Sequence, residues 1–225
     1  MCIIRSTIPE LKIRQLLVLN QKFAGGSNNT IHDDLSSSTG IEIKISLDGN
    51  ITFMTIDPDN DRKIIESWFK NAAPWIVAIK EKQIESRNLI TDRSIVDAVV
   101  SRGGHTVLDL GCGEGWLTRA LVARGMNALG TDIIPAFIDS ASQRLRQRGK
   151  TIGSGQFELA GYAEIAAGKL AKKFDIVVAN FSLIGKESVE SLFRSMPSLL
   201  NDGGAFIVQT LHPMIACGDL PYVDG

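Results

Sequence analysis

The sequence predicts an α/β protein: a doubly wound, mostly parallel sheet with helices on both faces. Two observations carry this. From residue 105 onward five short apolar runs alternate with helical runs, the signature of successive strands joined by crossover helices. Glycines stand where the elements meet, at 111–115, 125, 149 and 203–204, which is where helices stop and tight turns form.

The elements follow in chain order. Residues 20–40 are polar and rich in Gly, Ser and Asn, and read as a loop or disordered stretch. In 41–56, Ile41, Ile43, Ile45 and Leu47 alternate with polar residues, and Asp48-Gly49 separates them from a second β-prone run. That is a hairpin signal. Ile64, Ile65, Trp68, Phe69 and Ala72 recur at helical spacing within 62–84, and Pro74 is expected to split this region into two helices. A further helix over 92–101 has Thr91 as its N-cap. Strands are then expected at 105–110, 127–132, 156–160, 174–181 and 205–211. Helices are expected at 115–125, 135–149, 163–172 and 186–201, each crossover being right-handed.

A chain of 225 residues fits one core domain with extra material. The division is an N-terminal extension over 1–60, a helical segment over 61–102 and the α/β core over 103–225. Lys plus Arg number 24 and Asp plus Glu 25, a net charge of -1. Such a balance gives no global attraction to nucleic acid or to an anionic membrane. Arg144, Arg146 and Arg148 read as a solvated helix face. Cys2, Cys112 and Cys217 show no metal-ligand spacing and are odd in number, so no metal site is expected and a reducing compartment is. The first twenty residues are broken by Arg5, Pro9, Glu10, Lys12 and Arg14, which makes neither a signal peptide nor a membrane span. A cytoplasmic protein is the expectation.

The chemistry concentrates at Asp109-Leu-Gly-Cys-Gly-Glu-Gly115, between the first core strand and its helix. Glycines there let the backbone turn tightly and let a ligand approach the main chain. The carboxyl end of a strand in an open α/β sheet is where such folds bind ligands. The next strand ends in Asp132, whose carboxylate can accept both hydroxyls of a ribose. A dinucleotide loop would read G-x-G-x-x-G; here the pattern is G-x-G-x-G and position 116 is Trp116. An acidic residue before the loop suits a ligand ammonium and disfavours a phosphate, so a nicotinamide-dependent oxidoreductase is disfavoured.

These segments resemble the class I S-adenosylmethionine-dependent methyltransferase family. The resemblance rests on Val107 to Gly115, Gly130-Thr131-Asp132, Phe174 to Phe181 and Leu199 to Gly204. It covers roughly residues 60 to 215 and implies a Rossmann-like sheet with an N-terminal helical lid. By resemblance, Asp109, Gly111, Cys112 and Gly113 hold the methionine moiety of S-adenosyl-L-methionine, Asp132 holds the ribose and Ile133 packs on the adenine. Tyr162 and Ala163 would contact the adenine edge. Many members carry an acidic residue there; this chain has Ala160-Gly-Tyr-Ala-Glu164, which leaves open whether backbone atoms or Glu164 make the contact. Asn180 and Phe181 should line the methyl-transfer face. His212, directly after the last core strand, is a candidate general base beside Asn180, with a structural histidine the alternative.

Plainer readings stand beside these. The loop can be a structural turn, Asp132 a helix cap, Asn180 a strand terminator, Cys112 a small filler, and Trp68 and Trp75 simple packing. The expected activity is methyl transfer to an unidentified small molecule, releasing S-adenosyl-L-homocysteine. The other reading is a non-catalytic sensor or regulatory subunit that binds the same cofactor. No nucleic-acid or membrane partner is expected, and a homodimer is possible. The resembled fold has seven strands; only five are countable here, so the core is expected to lack the last two.

Overall fold

A computed structural model describes residues 60–211, together with the backbone of Ile41–Ile45 and Ile51–Thr55. The expected loop at 20–40, the Asp48-Gly49 turn, His212, Cys2 and Cys217 lie outside the described residues.

β1 (Ile41–Ile45) and β2 (Ile51–Thr55) pair antiparallel, with Ile43 opposite Phe53, as the hairpin pattern required. By chain contacts residues 12–60 form a unit of their own, distinct from the unit that carries the core.

The core unit opens with α1 (Asn60–Lys80), one continuous helix. The expected break at Pro74 does not occur. Pro74 and Lys70, whose carbonyl loses its helical donor, are both exposed, so the lost bond falls on the solvent side of the helix, where it costs least. Buried Ala72 and half-buried Trp68, Trp75 and Ile76 pack with Ile134 and Phe137 and hold the helix through the proline. A π-helical turn (Arg87–Thr91) runs into α2 (Asp92–Val100). Thr91 is itself helical and makes no side-chain cap, because the chain enters α2 already coiled.

The sheet has strand order β5-β4-β3-β6-β7, all parallel. Its strands are β3 (Thr106–Leu110), β4 (Asn127–Asp132), β5 (Gly155–Leu159), β6 (Phe174–Asn180) and β7 (Leu200–Gln209). α3 (Trp116–Val122), α4 (Pro135–Gln147), α5 (Tyr162–Ala166) and α6 (Glu187–Leu199) connect them. This is the doubly wound sheet the sequence predicts. Residues on β3 alternate between two cores. Val107 joins α2 and α3 residues such as Val99 and Leu121, whereas Leu108 and Leu110 join α5 and α6 residues such as Ile165, Leu192 and Met196.

Two boundaries differ from expectation. α5 stops at Ala166 rather than 172, since Gly168 takes a φ of +90° and ends it. β7 begins at Leu200, which pairs with Phe174 across an irregularity before Ile176, so Asp202-Gly203-Gly204 lie within the strand and not in a preceding turn. Among the described residues, no helix is long and apolar enough to cross a membrane.

Candidate functional site

β3 and β4 pair with Leu110 opposite Thr131, which sets the ends of the two strands side by side. The loop 111–115 leaves β3 at that point. The Cys112 amide donates to Thr131 O at 2.8 Å, and the Gly113 amide donates to Asp132 Oδ2 at 2.9 Å. The loop is thus stitched to the end of β4.

Its three glycines all take left-handed φ values, +64°, +56° and +78°, yet each meets a different surrounding. A Cβ at Gly111 would lie 2.6 Å from Ser182 Cβ and 2.7 Å from the Tyr162 hydroxyl. One at Gly115 would lie 2.5 Å from the Phe157 ring. At Gly113 the nearest described side-chain atom is Trp75 Nε1, at 4.0 Å. Gly111 and Gly115 are therefore glycines because protein packs against them. Gly113 alone leaves open backbone of the kind a ligand can approach.

Three carboxylates are buried around this loop. Asp109 is 1% exposed and accepts from Thr118 Oγ1 at 2.7 Å. Burial raises its pKa from the ordinary 3.8 to about 7; the Thr118 bonds oppose this, and the charges of Asp132 and Glu114 add to it. Asp132 is raised by burial too, although its oxygens accept from the Gly113 and Ile134 amides at 2.9 Å. It thus ties the glycine loop to the chain entering α4 while keeping lone pairs spare. Glu114 is 1% exposed and forms ion pairs with Arg119, at 2.6 Å, and with Arg144. Arg119 also donates to Glu114 O, and Arg148 donates to Arg119 O at 3.2 Å. The expectation of a purely solvated face is corrected for Arg144, which braces a buried carboxylate that local spacing did not reveal, whereas Arg148 is exposed.

Other expected residues are placed as follows. Ile133 follows β4 and is 37% exposed. Cys112 is buried, and burial with the neighbouring carboxylates pushes its thiol well above the ordinary value, so it is inert. The Tyr162 hydroxyl points inward, donating to Ser182 O at 2.7 Å, and burial raises its pKa. Ala163 is the second residue of α5. Glu164 accepts from the Gly161 amide at 2.9 Å and from Lys169 Nζ at 2.8 Å, which engages both its oxygens at the start of α5. Asn180 ends β6, and its Oδ1 is buried without a hydrogen-bond partner among the described residues. Phe181 follows in the left-handed region at φ +54°, its amide donating to Gln209 O at 2.8 Å. Ser182, not singled out from sequence, ties this turn back to β3 through a 2.6 Å bond to Leu110 O. Among the described residues no cluster of His, Cys, Asp or Glu is placed to hold a metal ion.

Arg87 was also missed. Its side chain is 11% exposed, lies 4.7 Å above the Trp116 ring and pairs with Asp92 at 2.9 Å. Its Nη2 is buried without a partner among the described residues. Trp116 is the first residue of α3, directly after Gly115, so this donor belongs to the neighbourhood of the loop.

Residues 107–204 match the family model for a methyltransferase domain. The chain is 29% identical over 117 residues to the ubiquinone biosynthesis O-methyltransferase of Methylococcus capsulatus, covering 52% of this chain and 48% of that protein. It is 27% identical over 161 residues to the protein of that description from Coxiella burnetii, covering 71% and 66%. The chain spans about half the length of the first of these relatives. Its fold is similar to the crystal structure of magnesium protoporphyrin IX methyltransferase from Synechocystis with bound SAH, at a TM-score of 0.51 and 23% identity, covering 63% of this chain and 68% of that one. The G-x-G-x-G loop at the end of β3 and the acidic residue at the end of β4 both lie within the segment that matches this methyltransferase-domain model.

Proposed function

We propose that this chain transfers the methyl group of S-adenosyl-L-methionine to a small-molecule acceptor. The observation that carries the reading is the open main chain at Gly113, flanked by the buried carboxylates Asp109 and Asp132. Two anionic groups held in a dry setting favour a cationic ligand, because each is costly to keep charged alone. A sulfonium and an ammonium supply the missing positive charge.

The residues present fit this cofactor. Asp109 and the Gly111–Gly113 backbone would hold the methionine end. Asp132 would accept from the ribose through its remaining lone pairs, and exposed Ile133 would cover one adenine face. Ala163, at the start of α5, would offer backbone to the adenine edge, with Tyr162 setting the loop that carries it. The unpartnered Arg87 Nη2 suits a ligand carboxylate. When bound, the cofactor supplies an electrophilic methyl carbon. The chain's own contribution is alignment: Asn180 offers a free carbonyl oxygen to an acceptor donor group, and Phe181 is fixed beside it by Gln209 O and Ser182. His212 would serve as general base for acceptors that must lose a proton.

The test has two arms. Calorimetry should show S-adenosyl-L-homocysteine binding with one site per chain. Incubation with S-adenosyl-L-methionine and fractionated small-molecule extracts should release S-adenosyl-L-homocysteine with one fraction. Absence of binding would sink the cofactor reading; binding without turnover on any fraction would sink the enzyme reading in favour of a sensor.

A further inference from the structure

α1 makes two attachments at opposite sides of the strand ends. At its first turn, Asp61 reaches the loop between β6 and α6. Its Oδ1 accepts from the Lys186 amide and its Oδ2 from the Ser188 amide, both at 2.8 Å. α6 makes no side-chain cap at its own N-terminal residue, Lys186. Asp61 therefore caps α6 from another element, a role normally filled by a residue of the helix itself. Gly185 makes room for it: its φ is +123°, and a Cβ there would fall 2.6 Å from Asp61 Oδ1. Burial disfavours the Asp61 anion, but the Ser188 hydroxyl and amide and the Lys186 amide outweigh this and hold its pKa below the ordinary value.

Fourteen residues further on, about 21 Å along a helix axis, Trp75 packs edge-on against Trp68 with ring centres 5.5 Å apart. Trp68 lies 6.2 Å from Phe137 at the start of α4. Trp75 Nε1 is the described side-chain atom nearest the space over Gly113. α1 thus runs from the loop after β6 to the loops after β3 and β4, across the mouth between them.

We propose that Asp61 is the latch of this strap: by capping α6 it holds Trp75 as a wall over Gly113, and its release sets how fast ligand enters and leaves. The proposal rests on the reading that the ligand lies at Gly113. Asp61 is a positioning residue here, acting through Trp75. Loss of a helix cap shifts the balance between closed and open α1 by about five- to tenfold, so the open fraction should rise by that factor.

Asp61→Ala, Asp61→Asn and wild type are compared in two measurements. Hydrogen exchange of the ligand-free protein should speed up about five- to tenfold in the Asp61→Ala variant across residues 62–79. Asp61→Asn keeps one of the two acceptor oxygens and sets its NH2 against the other amide, so it should fall between wild type and Asp61→Ala. In stopped-flow experiments with S-adenosyl-L-homocysteine, Asp61→Ala should raise association and dissociation rates together, leaving Kd within about threefold. A merely structural role would raise dissociation alone and Kd in step, which overturns the latch, as does unchanged exchange in α1. If wild type shows no S-adenosyl-L-homocysteine binding, the ligand reading and Trp75's part in it fall. The exchange experiment still decides whether Asp61 fastens α1.

Discussion

Asp109→Asn should stabilise the ligand-free protein at pH 8 and leave it nearly unchanged at pH 4. Asp109 is raised by burial from the ordinary 3.8 to about 7. A carboxyl whose folded pKa lies above its unfolded one contributes its stability fully below the unfolded value. That contribution is lost as pH rises through the folded value. Between about pH 4 and 7 the unfolded chain has released this proton and the folded chain has kept it. Unfolding free energy therefore falls with a slope of about 1.4 kcal/mol per pH unit from this group. Three units amount to about 4 kcal/mol. Asparagine imitates the protonated form, still accepts from Thr118 Oγ1 and removes the slope. Asp132 slopes the same way, while Asp175, held by the Asn201 side-chain amide and the Thr106 and His105 backbone amides, loses its contribution below pH 4. The readout is thus the difference between variant and wild type, from urea unfolding at half-unit steps between pH 4 and 8. A difference flat across that range would refute the reasoning. A bound cation should lower the Asp109 pKa, so S-adenosyl-L-homocysteine binding should release a proton near pH 7, seen as buffer-dependent heat.

Other perturbations separate the roles of neighbouring residues. Asp132→Ala should weaken S-adenosyl-L-homocysteine by about 1.5–3 kcal/mol, measured by calorimetry; unchanged affinity would remove Asp132 from the site. Gly113→Ala should fold, at a backbone cost of about 1–2 kcal/mol for its left-handed φ, yet lose ligand binding. Gly111→Ala and Gly115→Ala should instead lower the thermal midpoint further, since their Cβ atoms strike Ser182 and Phe157. A Gly113→Ala protein that binds normally would place the ligand elsewhere. Glu114→Gln leaves Arg119 buried beside a neutral group and should cost about 3–5 kcal/mol in denaturant unfolding. Arg144→Ala should cost much less, because its side chain is 31% exposed.

The sheet was legible because it is encoded locally. Five apolar runs, each ending near a glycine or a polar cap, gave strand positions within a few residues, and the spacing of Asp109 and Asp132 followed from one β-α-β unit. What was not legible depends on partners far away in the chain. Nothing near Arg144 marks it as the partner of Glu114, 30 positions earlier. Nothing near Asp61 marks the Ser188 amide, 127 positions later, as its donor. Pro74 misled because the breaking rule is local, whereas the packing of Trp68, Ala72 and Trp75 that overrides it is not. The glycines misled more subtly. Their tight turn was implied by sequence, but only the structure separates Gly113, open to a ligand, from Gly111 and Gly115, closed by protein.

The charge arrangement bears on which ligand the loop can hold. A pyrophosphate over Gly113 would face Asp109 and Asp132, both buried; the Gly113 amide, which would have to donate to it, already donates to Asp132. The Arg119 and Arg144 guanidiniums are spent on Glu114, so they do not offset that repulsion. A ligand carrying ammonium and sulfonium reverses every one of these terms. Positive charge lowers the cost of ionising Asp109 and Asp132 together. A glycine loop of this kind flanked by Asp109 and Asp132 would favour a cation over a phosphate. Glu114 has a different part: paired and out of reach, it braces α3 and α4 through its arginines, and it adds only a little to the burial that raises Asp109.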